Sequence, residues 1–230
     1  MLGTLVNAGA IAAGGAVGLL LRGGISSRYS TTVMQAMSLA VLLIGLSNAL
    51  KTNQVLLLIL CLAVGSILGE SMRIEDRMEE AGNWFQKRFS VGGEGFSRGF
   101  VTTSLLFCVG ALAIVGSLES GLAGDHRTLF AKSLIDGIAS VVFASTLGLG
   151  VLFSSVSVLI YQGAITLSAS LISKFLTAEV INEMSAVGGL LIAAVGCNML
   201  EIKRIRVGNM LPAIFLPLVY FTVKSLLTGS

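Results

Sequence analysis

Apolar residues run along this chain in long blocks. The blocks fall at about 3–21, 32–50, 54–70, 100–118, 134–153, 156–173, 184–200 and 210–227, with polar or charged residues between most of them. A run of ~18 apolar residues is long enough to cross the hydrocarbon core of a bilayer as a helix. Lipid offers backbone N–H and C=O groups no partners, so an isolated apolar segment must satisfy them internally, which selects helix over irregular structure. The pattern therefore predicts an all-α, polytopic membrane bundle of eight transmembrane helices, with seven as the alternative. The difference lies between Leu134 and Ile172, where Asp136 is the only charged residue. One helix over that run would be ~58 Å long, nearly twice the bilayer core. A break is predicted at Gly148 or Gly150, with Ser154 and Ser155 forming the turn.

Composition agrees: 54% of the 230 residues are hydrophobic and 12% are charged, about half the charge of an ordinary soluble domain. The net charge of +3 gives no reason to expect a nucleic-acid partner, because the basic residues are scattered at the ends of apolar blocks. Their distribution does set an orientation. With eight helices, ten Lys and Arg residues collect on one side and five on the other; with seven helices the split is nine to six. The richer side belongs in the cytoplasm, so both termini are expected outside. "MLGTLVNAGAIAAGGAVGLLLR" has no basic residue before its apolar stretch, and is expected to be a first membrane helix rather than a signal peptide. The longest connection, 72–99, is then cytoplasmic. Ile74, Met78, Phe85 and Phe89 fall at helical spacing in it, beside Trp84, which predicts an amphipathic helix on the inner leaflet.

Two stretches resemble each other. "LVNAGAI" at 5–11 aligns with "LIYQGAI" at 159–165, and "MQAMSLAVLLIGLSNAL" at 34–50 aligns without gaps to "MSAVGGLLIAAVGCNML" at 184–200. The matches include Met34, Ala36, Asn48 and Leu50 with Met184, Ala186, Asn198 and Leu200. Residues 1–71 and 155–227 read as two three-helix repeat units flanking a central helix pair, 100–153. Five crossings separate their starts, so the copies are expected to be inverted, a plan that transporters and channels use. Asn7, Ala10, Gly14 and Gly18 form a stripe along the first helix, and Gly65 and Gly69 a second small-residue motif; both are expected at helix contacts.

Candidate chemistry is sparse. The pattern contains no hydrolase, zinc-protease or nucleotide-loop signature, so neither an enzyme nor a cofactor is expected, and the metal question stays open. The single histidine, His126, reads as a solvated loop residue, and Cys61, Cys108 and Cys197 as buried thiols. Asp136 stands out as an acid in an apolar block, near the start of its predicted helix. Lys132 lies one turn before it, and Ser133, Ser140, Ala144 and Gly148 continue the same face. An intramembrane carboxylate is a functional candidate by default; neutralising Lys132 is the structural alternative. Asn48 and Asn198 are the matched polar pair of the repeat, with helix capping as the alternative. Tyr161 and Gln162 offer polar groups inside a helix. Glu70, Glu183 and Glu201 read as interfacial residues at helix ends, with Glu201 placed to pair with Lys203 and Arg204 and Glu183 opening its helix.

The segments "CVGALAIVGSLESGLAGDHRTLFAKSLIDGIASVVFASTLGLGVLFSS" (108–155), "YQGAIT" (161–166), "EMSAVGGLLI" (183–192) and "NMLEIKRIRVGNMLPA" (198–213) resemble the YqgA/YdfK-like bacterial inner-membrane proteins, a domain of unknown function. The resemblance covers nearly the whole chain. It implies a bacterial plasma membrane and no particular chemistry. The expected function is a channel or transporter for a small ion or solute, a cation by mild preference because the candidate ligands are oxygen donors. Its expected partners are the lipid bilayer and a second copy of the chain, since so few helices barely enclose a pore. The alternative is a non-transporting regulator or scaffold acting through the cytoplasmic loop. The transport-pathway candidates are Asp136, Lys132, Ser140, Asn48, Asn198, Gln162, Tyr161 and Glu70.

Overall fold

The computed structural model describes residues 1–22, 27–80, 96–109, 111–173 and 175–228. They form helices α1 (Leu2–Arg22), α2 (Ser27–Ala49), α3 (Val55–Met72), α4 (Phe96–Cys108), α5 (Ala111–Leu122), α6 (Arg127–Leu147), α7 (Gly150–Ile172) and α8 (Ala178–Met199), a 3-10 segment Val207–Phe215, and α9 (Leu216–Thr228). Among the described residues seven spans are long and apolar enough to cross a membrane, and α4 and α5 make an eighth if they count as one span bent by 61°. The expected straight helix at 100–118 is therefore broken after Cys108. Of the expected amphipathic helix in 72–99, residues 74–80 are helical, with Ile74 and Met78 half-buried; Trp84, Phe85 and Phe89 lie outside the described residues.

The predicted break between the fifth and sixth blocks falls at Gly148, whose φ of 81° is open to glycine and strained for other residues. Ser154 and Ser155 do not form the turn. They sit inside α7, and their hydroxyls donate to the carbonyls of Val151 and Leu152. A serine that bonds its own helix backbone crosses lipid without breaking the helix. The register of α6 also differs from expectation. It starts at Arg127 rather than near 134, because its polar first turns are satisfied locally: Thr128 donates to Glu119 and Ser133 to the carbonyl of Leu129. Asp136 consequently stands in the middle of its helix, not near its end.

The helices pack into two compact units. The first comprises Met1–Met37, Asp76–Cys108 and Leu112–Ala169; the second comprises Ser38–Glu75, Val109–Ala111 and Ser170–Ser230. In the first unit α1 runs parallel to α6 at backbone contact. A Cβ on Gly14 would lie 2.2 Å from the carbonyl oxygen of Gly137, and one on Gly18 2.2 Å from that of Val141. Ala10 continues this seam against Gly137. With no hydrophobic effect between helices in lipid, such close approach supplies the dispersion contacts that hold them together. Helix α7 runs antiparallel to α1, with Thr4 beside Thr166 and Gly15 beside Leu152.

The second unit repeats the device. The C-terminal half of α2 runs antiparallel to α8, where Gly45 meets Ala193 and Gly196 meets Leu42. Helix α3 runs antiparallel to the 3-10 segment, with Gly65 against Ala213 and Gly69 against Asn209. Pro212 lies inside that segment, where its missing N–H removes a helical hydrogen bond.

The α1–α6 seam predicts a sharp positional contrast. Gly14→Leu puts a branched side chain into the Gly137 carbonyl and should destabilise the purified protein by about 3 kcal/mol or more. Gly9→Leu, one face away with nothing within 4 Å of its Cβ position, should leave thermal unfolding in detergent within a degree or two of wild type. Equal behaviour of the two variants would remove the seam from the account.

Candidate functional site

Inside the first unit, α1, α6 and α7 bring polar side chains together in an otherwise apolar interior. Asn7 and Gln162 have 0% exposure, Asp136 5% and Lys132 6%. The Lys132 ammonium donates to Asp136 Oδ2 along the helix face, one turn apart. The Asn7 amide donates to the same Asp136 oxygen at 3.1 Å and to Gln162 Oε1 at 3.2 Å. The Thr4 and Thr166 hydroxyls pair at 3.2 Å, and either one can be the donor. Ser140 donates 2.7 Å back to the carbonyl of Asp136.

Helix direction gives the cluster a depth order. Helices α1 and α6 begin, and α7 ends, at the same face of this unit. Thr4, Lys132 and Thr166 lie nearer that face. Asn7, Asp136 and Gln162 lie about one turn (~5 Å) deeper. Beyond them, toward the opposite face, α1 and α6 meet backbone to backbone at Gly14 and Gly18. The cluster is thus a polar region reaching to mid-helix and closed below by a glycine seam.

Its hydrogen bonding is incomplete. Asn7 Oδ1 and Gln162 Nε2 are buried and have no protein partner. An unpaired buried amide atom costs about 1–3 kcal/mol, so such groups are normally satisfied by protein or ordered water. One atom is an acceptor and the other a donor, a combination suited to water.

At the face where α6 begins, the α5–α6 connection carries its own charges. Arg127 holds the Asp125 carboxyl at about 2, chiefly by side-chain hydrogen bonding, so this exposed ion pair stays charged over the ordinary pH range. His126 is half-buried rather than free in solvent: its Nδ1 lies 2.9 Å from Ser120 Oγ. Glu119 accepts from Thr128 at 2.6 Å.

Of the sequence candidates, the structure joins Asp136, Lys132, Ser140 and Gln162 in one cluster. Tyr161 is half-buried beside Gln162 in the sequence of α7. The others belong to the second unit. Asn48 accepts from Lys51 at 3.1 Å near the end of α2. Asn198 accepts from the Ile205 N–H and donates to its carbonyl, both at 2.7 Å, tying down the loop after α8. Glu70 accepts from Arg206 at 2.9 Å and from Asn209 at 2.6 Å, locking α3 to the 3-10 segment.

Glu183 does not open its helix. Helix α8 starts at Ala178, capped by Thr177, and Glu183 is 1% exposed, accepting from the Thr52 hydroxyl and the Asn53 N–H. Glu201 stands in the left-handed region, φ 59°, after α8. The cysteines are free; Cys61 is buried, Cys108 and Cys197 are half-buried. Thr4 and Thr166 are cluster members the sequence did not point to, and Asn7 stood there only as part of the packing stripe on the first helix. The available signal was an asparagine deep in an apolar helix, too far from either end to cap it. Among the described residues no three His, Cys, Asp or Glu side chains converge, so any cation here would rest on one carboxylate with amide and hydroxyl oxygens.

Residues 2–222 match the sequence profile of a family described as "Protein of unknown function (DUF554)". The chain is 34% identical over 221 residues to the "Uncharacterized membrane protein YdfK" of Bacillus subtilis, covering 94% of each chain. It is 33% identical over 221 residues to the "Uncharacterized protein YqgA" of Escherichia coli, again covering 94% of each. No solved structure matches it.

The buried pair predicts an asymmetric mutational response. Asp136→Leu leaves Lys132 charged and unpaired, and should destabilise the protein by about 3–5 kcal/mol. Lys132→Met combined with Asp136→Leu should recover most of that loss, as read by thermal unfolding in detergent. A double variant no more stable than Asp136→Leu would show that the two side chains are not paired.

Proposed function

The chain belongs to the DUF554 family of proteins of unknown function, and we propose that within the membrane it is a channel or transporter for a small ion or solute, with the Asp136 cluster as its occluded site. The observation that carries this reading is the pair of amide atoms, Asn7 Oδ1 and Gln162 Nε2, left without protein partners beside a buried Lys–Asp pair at mid-helix. Charges and unpaired amides at this depth are expensive, and a purely structural helix contact is more stable without them. A site that takes and releases a polar species needs such groups.

Closure is uneven across the cluster. Toward the face where α6 begins, α1, α6 and α7 touch through side chains that can rotate, such as the Thr4–Thr166 pair. Toward the other face they touch through glycine and backbone. The first side opens with less disruption. The Lys and Arg distribution puts that side, and both termini, outside the cytoplasm of a bacterial inner membrane.

The inverted-repeat reading is supported by helix direction. Matched segments of residues 1–71 and 155–227 run antiparallel: α1 with α7, α2 with α8, and α3 with the 3-10 segment. Inversion of this kind gives a transporter two related gates, and a homodimer supplies the helices that one small copy lacks.

Liposomes holding the purified protein test the proposal against a panel of sodium, rubidium, chloride, protons and small neutral solutes. Wild type should pass at least one species faster than protein-free liposomes, and folded Asp136→Asn should lower that rate about tenfold or more. Liposomes as tight as protein-free ones to every species would contradict it.

A further inference from the structure

The same cluster says which ion suits it, an inference that rests on the transport reading. A metal cation at Asp136 meets three obstacles. The Oδ2 oxygen already holds the Lys132 ammonium and the Asn7 amide, so the ion must displace a tethered positive charge. Gln162 Oε1 is already taken by the Asn7 amide, which leaves an N–H rather than an oxygen unpartnered. The Ser133 and Ser140 hydroxyls point their protons at backbone carbonyls of their own helix. A proton meets none of these obstacles. It needs one free carboxylate lone pair and a hydrogen-bonded route. Asn7 Oδ1 accepts and Gln162 Nε2 donates, which is the complement of a water molecule's donor and acceptor. The Asp136 carboxylate requires the N–H side of the Asn7 amide, and that N–H in turn requires the oxygen of Gln162, which fixes both assignments. Nearer the face, the Thr4–Thr166 hydroxyl pair can carry its proton in either direction.

We propose that the ion taken by this site is the proton: water held by Asn7 and Gln162 delivers it from the face where α6 begins to Asp136, with Lys132 as the fixed counter-charge. In the loading step an O–H bond of a protonated water breaks and an O–H bond forms on the Asp136 carboxylate. The electron pair of the broken bond stays on the water oxygen, and the Lys132 ammonium keeps its protons. In release the Asp136 O–H bond breaks, its electron pair stays on the carboxylate and the proton passes to a water oxygen. The other titratable and charged groups around the pair are few. Cys108 of α4 feels both charges, and Tyr161 of α7 feels Cys108. Helix α1 contributes Asn7 and Thr4; its charged groups are the chain's amino terminus and Arg22 in its last turn. Glu119 lies on α5, with Asp125, His126 and Arg127 at the α5–α6 connection.

The test uses liposomes with a pH-sensitive dye inside, a potassium gradient and valinomycin, so that proton entry is driven and read directly. Wild type should collapse the imposed gradient faster than protein-free liposomes. Asp136→Asn should slow this at least tenfold, while Asp136→Glu keeps most of it. Lys132→Gln should move the pH dependence of the flux to higher pH, because a carboxylate without its ammonium holds a proton more tightly. A merely structural lysine would leave that profile in place. A wild-type gradient that lasts as long as the protein-free one overturns the proposal, whatever the variants do, and so does unchanged flux in folded Asp136→Asn. If sodium, rubidium or a neutral solute crosses in an Asp136-dependent way while the pH gradient persists, the proton assignment fails and the transport reading stands. If nothing crosses, both fail.

Discussion

The burial of Lys132 and Asp136 in the middle of α6 is the constraint around which the first unit is arranged. Two opposite charges taken out of water recover their desolvation penalty only when they touch and when other hydrogen bonds complete their shells. The i,i+4 spacing on one helix supplies the contact. Asn7 supplies a further donor, and it reaches Asp136 because α1 lies so close to α6. That proximity depends on glycine at positions 14 and 18. One electrostatic requirement thus dictates both a polar residue and a small-residue seam on a neighbouring helix. Gln162 then follows, since the second Asn7 N–H needs an acceptor.

The second unit solves a different problem with the same material. Its glycine seams join α2 to α8 and α3 to the 3-10 segment, but its polar contacts lie at helix ends and tie loops. Glu183 anchors the α2–α3 connection through Thr52 and Asn53. Glu70, Glu75 and Asn209 bind the end of α3 to the start of the 3-10 segment. These bonds fix backbone that would otherwise carry unsatisfied groups near the membrane boundary. The partnerless amide atoms at mid-helix depth belong to the first unit. That difference is why the functional reading rests there.

Hydropathy alone was enough to find the helices, since every long apolar block became helical. Helix length and the glycines at 148 and 150 pointed to the break between the fifth and sixth blocks, which falls at Gly148. Hydropathy misjudged the start of α6 because it scores Thr128, Lys132 and Ser133 as residues, whereas the structure satisfies each through a bond that composition cannot register. It missed the bend between α4 and α5 because the apolar block runs through it. The acid and base of the cluster were legible from their spacing. Asn7 was not: its place in a stripe with Ala10, Gly14 and Gly18 looked like packing, and only the approach of α6 and α7 shows it as a hydrogen-bonding centre. Glu183 was misread for a related reason, as its helix begins a turn and a half before its apolar block.

The central claim is that the amides of Asn7 and Gln162 face polar occupants inside the membrane rather than an imperfect dry contact. An experimental structure in lipid, at a resolution that shows ordered solvent, tests this most directly. The account predicts density within hydrogen-bonding distance of Asn7 Oδ1 and Gln162 Nε2, continuing toward the Thr4–Thr166 pair. Finding both atoms re-paired to protein groups in a dry interface would contradict it.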